Sequence, residues 1–337
     1  MKTFLFPVFA GHAPFPQGTL PPSLIMPSFN QSILDPTVFF LTGIPGFETY
    51  HAWIFIPFCC LYVIAISGNG MILFIIITES SLHEPMYYFL SMLSFSDLGL
   101  CLSTLVTMVG ISNTREMSFD VCIGQMFFIY GFALMESSVL LAMAFDRYIA
   151  ICNPLRYATI LTNSRIIKVG FAIVVRVTTV VVPLLLLLKR LSFCGSHVLH
   201  HSYCFHPDVM KLSCTDTRIN SAFGLAIVIS TTALDSVLIL LSYVLIICSV
   251  LNIASSEEQK KAFGTCISHT SAVAIFYIPT ISLSLVPRFG KHAPPLVHTL
   301  IANIYLLILP VMNPIIYSVK TKQIRKAMVK IFLSKLI

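Results

Sequence analysis

Residues 143–157 read MAFDRYIAICNPLRY and close a long apolar run with a sudden cluster of charges. An acid and a base are adjacent in it, Asp146 and Arg147. A charge in hydrocarbon costs about 2.5–3.5 kcal/mol even on lenient insertion scales, so these side chains either pair or lie at the water boundary. Asn153 and the proline after it end the apolar run. The stretch therefore predicts a helix end at a membrane edge, where a partner protein can reach Arg147. The alternative is an arginine that only anchors the helix.

The rest of the chain is apolar enough to supply many such helices. Of its 337 residues, 56% are hydrophobic and only 10% are charged, and the mean hydropathy is +0.88. A soluble domain has about a quarter of its residues charged. About 20 apolar residues cross the hydrocarbon core of a bilayer. Seven runs of this kind are present: 52–78, 86–110, 121–151, 169–188, 222–251, 262–286 and 296–319.

These runs are continuous and lack the period-two alternation of barrel strands, so they predict helices. The predicted fold class is an all-α membrane protein, a seven-transmembrane helix bundle over residues 52–319. Residues 1–51 form a tail before the bundle. Residues 320–337 form a short amphipathic helix and tail after it.

The distribution of lysine and arginine sets the orientation of the bundle. An odd number of spans puts the two termini on opposite sides of the membrane. With the N-terminus outside, twelve of the 21 basic residues fall on the cytoplasmic side, eight fall outside, and Arg176 lies inside the fourth span. The chain is thus predicted to be a multi-pass plasma-membrane protein with an extracellular N-terminus and a cytoplasmic C-terminus. The net charge of +7 reflects this topology, because no basic groove with interleaved aromatics indicates nucleic acid.

The cysteines agree with this orientation. Four of the ten, Cys122, Cys194, Cys204 and Cys214, fall on the oxidising side, an even number that allows two disulfides. Zinc is the alternative, since the loop 189–221 combines three of these cysteines with four histidines. The loop has no C-x-x-C pair to combine with them, so no metal is predicted there.

The N-terminal tail carries one glycosylation signal. The tripeptide that starts at Asn30 is the only Asn-x-Ser/Thr sequon, and it falls on the predicted outside. Residues 1–25 are rich in proline, and their apolar stretch is too short, and too broken by Pro7, for a signal peptide. We expect that translation can also start at Met26, with the first span acting as the membrane signal.

Three polar residues fall inside the first three spans. They are Asn69, Asp97 and Glu136, and Asp97 is a possible hydrogen-bond partner of Asn69. Glu136 lies ten residues before Asp146 and so about 15 Å deeper on the same helix. Two buried acids at similar depth ionise together only if a cation lies between them. The sequence therefore predicts a sodium or proton site at Asp97 and Glu136 with Asn69 nearby. The alternative is a neutral hydrogen-bonded pair that only joins helices.

The last span ends in the sequence NPIIY at 313–317. Pro314 removes a backbone hydrogen bond, and Asn313 is expected to reach the freed carbonyl or a water, which makes a hinge. Beyond it, apolar and basic side chains separate onto two helical faces: Ile324, Ala327, Met328 and Ile331 on one, Lys322, Arg325, Lys326 and Lys330 toward the other. This pattern predicts a short helix on the inner leaflet.

Four motifs coincide in the chain: PMYYFLSMLSFSDLGLC at 85–101, MAFDRYIAICNPLRY at 143–157, KAFGTCISHTSAV at 261–273 and PVMNPIIYSVKTKQIR at 310–325. Together they resemble an olfactory receptor of the rhodopsin-like G-protein-coupled family. The resemblance covers everything after about Met26. LTGIPGFE at 41–48 and RFGKHAPP at 288–295 resemble the class I, fish-like group.

The resemblance implies a switch, read by a G protein, at the inner ends of two helices. Its residues are Asp146, Arg147, Tyr148, Asn313, Pro314 and Tyr317. The resemblance also implies a disulfide between Cys122 and Cys204, which leaves Cys194 to pair with Cys214, and it matches the acidic pair to that of the family. The implied output is activation of a stimulatory olfactory G protein and a rise in cyclic AMP.

A ligand pocket is expected among the outer halves of spans three, five, six and seven, under the long loop. Its predicted lining is Phe127, Tyr130, Gly131, Leu134, Phe205, Ser284 and Arg288. Class I receptors often take polar odorants such as carboxylic acids, and Arg288 would hold a carboxylate by paired hydrogen bonds. The alternative is that Arg288 reaches lipid headgroups. Tyr130 departs from the histidine of many class I members, which changes the polarity of the pocket.

Two other functions compete with an odorant receptor. A transporter predicts internal repeats and broken helices at matching positions of two halves, which the sequence lacks. A receptor for a peptide or a lipid is the nearer alternative, and dose responses to small acids and to peptides would separate the two. No Ser-His-Asp or metal constellation is present, so neither enzyme activity nor a cofactor is predicted, apart from a sodium ion at the acidic pair.

Overall fold

A computed structural model of the chain describes residues 38–42, 51–111, 116–194, 197–199, 201–252, 255–289 and 295–334. These residues belong to one compact unit, Asp35–Ile337. Its helices are α1 (His51–Thr78), α2 (Pro85–Ile111), α3 (Phe119–Cys152), α4 (Tyr157–Ile160), α5 (Asn163–Lys189), α6 (His206–Lys211), α7 (Arg218–Leu251), α8 (Ser256–Phe289), α9 (Pro295–Lys320) and α10 (Lys322–Ser334). Its strands are β1 (Val38–Leu41), β2 (Glu116–Ser118) and β3 (Val198–Leu199).

Six helical segments are long and apolar enough to cross a membrane: Ile56–Thr78, Pro85–Thr107, Phe119–Cys152, Asn163–Lys189, Arg218–Leu251 and Ile301–Val319. They correspond to six of the seven predicted spans. The predicted span 262–286 contributes a shorter apolar stretch among the described residues, His269–Leu283 of α8. Six long segments and one short one are consistent with a seven-helix receptor.

Two glycines let neighbouring helices approach closely. A Cβ at Gly68 of α1 would lie 2.9 Å from Pro314 of α9, and a Cβ at Gly99 of α2 would overlap the ring of Phe132 of α3. Small residues allow such crossings where lipid supplies no hydrophobic drive between helices. Helices α1 and α9 therefore meet at the proline of the predicted hinge.

A small sheet lies outside the helices, which the all-α prediction missed. Its strand order is β2-β1-β3, with β1 antiparallel to β2 and parallel to β3. The sequence of β1, VFFL, joins a β-branched residue to two aromatic ones, which favours an extended strand. Phe39 is fully buried, and its ring centroid lies 5.9 Å from that of Phe119 and 5.7 Å from that of Phe193. The tail before α1 is thus tied to the loops that precede α3 and α7.

The last helix, α10, follows α9 and spans Lys322–Ser334. Ile324 and Ala327 are buried, whereas the side chains of Arg325 and Lys326 are exposed. Lys330 Nζ lies 2.6 Å from Glu79 Oε1, just after α1. The side chain of Ile331 lies outside the described residues. That α10 rests on a membrane surface remains a prediction.

Candidate functional site

One end of α3 carries the ion pair predicted from residues 143–157. Arg147 Nη2 lies 3.1 Å from Asp146 Oδ2, and the two side chains are 12% and 1% exposed. The hydroxyl of Tyr157 in α4 donates a 2.8 Å hydrogen bond to Asp146 Oδ1. Burial and the neighbouring carboxylate raise the pKa of Tyr157, so its hydroxyl stays protonated as a donor. Asp146 thus holds both the arginine of its own helix and the following loop.

Aromatic side chains from four helices surround this pair. Tyr148 packs into an apolar cluster between α3, α7 and α8. Tyr243 of α7 shares a hydrogen bond through its hydroxyl with Nδ1 of His269 of α8. Tyr317 of α9 is buried, and its hydroxyl has no hydrogen-bond partner in the described part of the chain. Arg147 lies within electrostatic range of Tyr243, His269 and Tyr317. Tyr243 and His269 are not among the predicted site residues, although a histidine inside an apolar span is a signal for a functional site.

Asn69 of α1 and Asn313 of α9 have hydrogen-bond partners other than the predicted ones. Asn313 Nδ2 donates to the carboxylate of Asp97, at 3.0 Å from Oδ2. Pro314 has no N–H to offer the carbonyl of Pro310, and this carbonyl accepts from Asn69 Nδ2 at 2.8 Å. Asn69 therefore binds the carbonyl that Asn313 was expected to reach, and Asp97 bonds to Asn313 rather than to Asn69. The reason is the close approach of α1 to α9 at the adjacent glycine.

The acidic pair lies where the sequence predicts it, between α2 and α3. Asp97 and Glu136 are fully buried and interact electrostatically. Neither carboxylate oxygen of Glu136 has a hydrogen bond of ordinary geometry among the described residues. Two adjacent buried carboxyl groups cannot both be charged without a positive partner. The geometry therefore fits either a monovalent cation or a shared proton.

A second polar cluster, which is not predicted from the sequence, joins four helices midway along α3. Arg176 of α5 donates to both oxygens of Asp235 of α7, at 3.0 and 2.9 Å, and to Ser138 at 3.0 Å. Ser137 donates to Asp235 at 2.6 Å and shares a 2.9 Å hydrogen bond with Tyr277 of α8. The sequence indicates no partner for Arg176 in the fourth span, because the acid that pairs with it is 59 residues away.

At the other end of α3, disulfides tie down the long loop between α5 and α7. Cys122 in the first turn of α3 is bonded to Cys204, and Cys194 is bonded to Cys214, with Cα atoms 5.5 and 5.8 Å apart. This is the pairing that the resemblance implies. No group of His, Cys, Asp and Glu within the described ranges is arranged to hold a metal ion.

Hydrogen bonds also fix this loop to the helices. Gln125 Oε1 of α3 accepts from the amide of Cys204 at 2.9 Å, and the hydroxyl of Tyr130 accepts from the amide of His206 at 3.1 Å. Ser202 donates a 2.5 Å hydrogen bond to Asn303 of α9. The loop therefore contacts α3 and α9 and covers the space between them.

Two titratable residues of the loop have shifted pKa values. Asp208 lies 2.8 Å from His201 Nε2 and 2.7 Å from Lys211 Nζ. Burial would raise the pKa of Asp208, but the bonds to His201 and Lys211 outweigh burial and hold it well below its usual range. Burial lowers the pKa of His206 to about 4. At neutral pH the loop thus contains a charged carboxylate and a neutral histidine.

The predicted ligand residues are placed differently from one another. Tyr130 contacts the loop, and Phe205 packs with Tyr203 in an apolar cluster that reaches α9. A Cβ at Gly131 would meet α5, with Val177 Cγ1 at 3.4 Å. Leu134 is buried and Phe127 half-buried. Three predicted sites lie outside the described residues: the side chains of Ser284 and Arg288 and the whole of Asn30.

The chain has helices that can cross a membrane. A disulfide-tied loop lies over one end of α3, and a buried Asp–Arg pair lies at the other end. Together these features are those of a multi-pass helical membrane receptor. The family model described as olfactory receptor matches residues 58–335. The chain is 65% identical to the Homo sapiens olfactory receptor OR51C1, over 88% of this chain and 96% of that protein. It is 60% identical to the Homo sapiens olfactory receptor 51F2, over 92% and 91%.

The chain belongs to the olfactory receptor family, and its similarity to the 51 group is consistent with class I. Members of this family are receptors rather than enzymes. They detect small-molecule odorants and signal through G proteins. The resemblance deduced from the four motifs is therefore confirmed at the level of the family.

Proposed function

We propose that this receptor binds small polar volatiles, with carboxylic acids as the first class to test, and that it activates a stimulatory olfactory G protein to raise cyclic AMP. The observation that carries the proposal is that one helix reaches both functional ends. Helix α3 has 34 residues, a length of about 50 Å. It is bonded to the outer loop through Cys122 and carries Asp146 and Arg147 at its other end.

The proposed orientation has the N-terminus outside and the C-terminus in the cytosol. Disulfides form on the oxidising side, and both disulfides lie at the same end of the bundle as β1 of the N-terminal tail. The sequon at Asn30 would then be accessible to glycosylation. Helix α10 would lie on the inner leaflet, with Arg325 and Lys326 near anionic headgroups.

The proposed ligand cleft lies beneath the loop, between the outer halves of α3, α7, α8 and α9. Support comes from the loop itself, which contacts α3 at Tyr130 and α9 at Asn303. A pocket closed by a loop excludes water and strengthens polar recognition. Arg288 would hold the carboxylate of an acid by two parallel hydrogen bonds.

At the other end, the proposed resting state holds Arg147 against Asp146, which Tyr157 also binds. Activation would release Arg147 toward the G protein, with Tyr148, Asn313, Pro314 and Tyr317 changing partners. A ligand can drive this change only if it binds the active arrangement more tightly than the resting one. The proposal therefore requires the outer cleft to differ between the two arrangements.

A sodium ion at Asp97 and Glu136 is part of the proposed resting state. Its support is the burial of Glu136 next to Asp97, because two adjacent buried carboxyl groups cannot both be charged without a positive partner. A bound cation would neutralise the two carboxyl groups and favour the arrangement in which Asn313 donates to Asp97. Replacing sodium by potassium in the assay should raise basal signalling if sodium has this role.

The central experiment is a cyclic-AMP reporter assay in cells, with a panel of volatile acids, alcohols and esters. Arg147→Ala should abolish the response at unchanged surface level, whereas Arg156→Ala, an exposed arginine of the same region, should keep it. An unchanged response of Arg147→Ala would remove the proposed switch. Epitope tags on the two termini test the orientation, and tags on the same side would refute it.

The ligand class is tested separately. Arg288→Ala should remove responses to acids and keep responses to any active ester. Arg218→Ala is the matched control, because Arg218 is an exposed arginine at the start of α7. Intact acid responses in Arg288→Ala would show that another group binds the carboxylate.

A further inference from the structure

A groove lies on the outer surface of the bundle between α3 and α5, near the disulfide-tied end. Its volume is about 260 Å³, and its lining includes Gly124, Phe127, Phe128, Val182, Leu186 and Lys189. Phe128 and Leu186 are 51% and 57% exposed although both belong to membrane-spanning segments, so the groove opens toward lipid. A Cβ at Gly124 would meet no atom within 4 Å. The glycine therefore leaves space in the groove that no neighbouring side chain fills.

A single lysine lies at one end of this groove. Lys189 is the last residue of α5, and its Nζ lies 3.1 Å from Asp120 Oδ1. The two side chains are 48% and 83% exposed, so the pair is solvated and weak. The aliphatic part of lysine can lie along apolar surface while its ammonium group reaches the interface. The groove therefore combines an apolar channel with a cation at headgroup level.

We propose that this groove binds a free long-chain carboxylic acid from the membrane, with its chain between α3 and α5 and its carboxylate on Lys189 in place of Asp120. Apolar side chains favour a hydrocarbon chain, and Lys189 selects an anionic head. The groove shares Phe127 with the predicted lining of the ligand cleft, but it opens between α3 and α5, whereas the cleft is proposed between α3, α7, α8 and α9.

A phospholipid could also supply an acyl chain, and the charge of the head decides between the two. The inference rests on the proposed orientation, in which Lys189 faces the outside. Anionic phospholipids are concentrated in the cytoplasmic leaflet. A free carboxylate is therefore the anionic amphiphile expected at the level of Lys189 in the outer leaflet.

Photolabelling of the full-length receptor tests this site. The receptor is placed in phosphatidylcholine nanodiscs with a sixteen-carbon fatty acid that carries a diazirine, irradiated, and mapped by mass spectrometry. Labels are expected in 123–128 and 182–189. Gly124→Leu fills the groove and should reduce labelling about tenfold, the effect of losing a few buried methylenes. Lys189→Gln should reduce it similarly, and Asp120→Asn should increase it.

Two controls make the result specific. Gly70→Leu should leave labelling unchanged, because a Cβ at Gly70 of α1 also meets no atom within 4 Å. The methyl ester of the probe should label weakly, since it has no charge for Lys189. Equal labelling by the ester, or undiminished labelling of Gly124→Leu or Lys189→Gln, would overturn the site. Stronger labelling by photoreactive phosphatidylserine would overturn the choice of a free acid.

The same variants are tested in the cyclic-AMP assay, so that the two proposals fail separately. If the labelling pattern is as expected but no volatile raises cyclic AMP, the groove stands and the proposed function fails. If volatiles raise cyclic AMP but labelling ignores Gly124 and Lys189, the proposed function stands and the groove fails.

Discussion

The two ends of α3 are held in different ways. At the loop end, Cys122 is covalently bonded to Cys204, and Gln125 binds the backbone of the same loop. At the other end, non-covalent contacts hold Asp146: the ion pair with Arg147 and the hydrogen bond from Tyr157. A disulfide rearranges in minutes to hours, whereas conformational transitions that exchange such contacts take microseconds to seconds. One end is therefore a fixed support, and the other is a set of contacts that can be exchanged.

Buried polar atoms without partners occur in both regions of the described structure. On α9, the Tyr317 hydroxyl and Asn313 Oδ1 are buried without partners among the described residues. An unsatisfied buried polar group costs about 1–3 kcal/mol. A second arrangement that supplies partners to these atoms is therefore close in free energy to the arrangement in this structure. At the loop end, His206 Nε2 and Asn220 Nδ2 are in the same situation. They lie close to the proposed ligand cleft, where a bound molecule could supply the partner.

Removing the covalent support should have the largest effect. Cys204→Ser opens a disulfide that spans 82 residues, worth about 4.5 kcal/mol by loop entropy, against about 3.3 kcal/mol for the 20-residue bridge opened by Cys214→Ser. Surface expression, measured by flow cytometry, should be lost in the first variant and reduced in the second. Cys60→Ser, at an exposed free cysteine, is the control. Normal expression of Cys204→Ser would show that the loop end is not a fixed support.

The cluster around Arg176 lies between the two ends and shows how far the fixed part extends. Asp235→Asn should leave the arginine charge unpaired in the bilayer and destabilise the receptor by about 3–5 kcal/mol. Thermal unfolding of the purified receptor measures this loss. The double variant Arg176→Met with Asp235→Leu should recover most of it. A double variant as unstable as the single one would mean that the ion pair itself contributes stability, rather than only neutralising two charges.

The loop end should also respond to pH. The pKa of His206 is about 4 in the folded receptor and 6.5 when the residue is solvated, so the unfolded chain takes up the proton first as pH falls. Stability should therefore decrease from pH 6.5 to pH 4, by up to about 3 kcal/mol. Asp208 has a lowered pKa and keeps its charge over this range. His206→Gln should flatten the dependence of the melting temperature on pH, and His197→Gln should not.

The smallest effect is expected at the exchangeable end. Tyr157→Phe removes one hydrogen bond to Asp146, worth about 0.5–1.5 kcal/mol. If Asp146 and Arg147 hold the resting state, basal cyclic AMP should rise about two- to tenfold, because this free energy shifts the two-state equilibrium directly. Leu155→Ala, at a fully exposed neighbour, is the control. Unchanged basal signalling would mean that Tyr157 only packs the loop.

The sequence predicted the helices better than it predicted the polar contacts. Long apolar runs indicate spans because lipid forces each segment to satisfy its own backbone. The predicted span 262–286 lies within α8, whose apolar stretch among the described residues is His269–Leu283. The pattern missed β1, because four residues in a tail gain strand structure only from the loops they pair with. The partner of Arg176 was missed for a similar reason: nothing local indicates an acid 59 residues away.

The sequence alone determined that this chain crosses a membrane in helices, that it belongs with olfactory receptors, and that acids and an arginine lie inside or at the edge of its spans. These conclusions depend on composition and on local order, which the chain carries without folding. The tertiary structure decided which of these groups meet: Asn313 with Asp97, Asn69 with the carbonyl freed by Pro314, and Asp235 with Arg176. Such pairs depend on where helices cross, and the crossings depend on close contacts such as Gly68 against Pro314 that involve residues far apart in the chain.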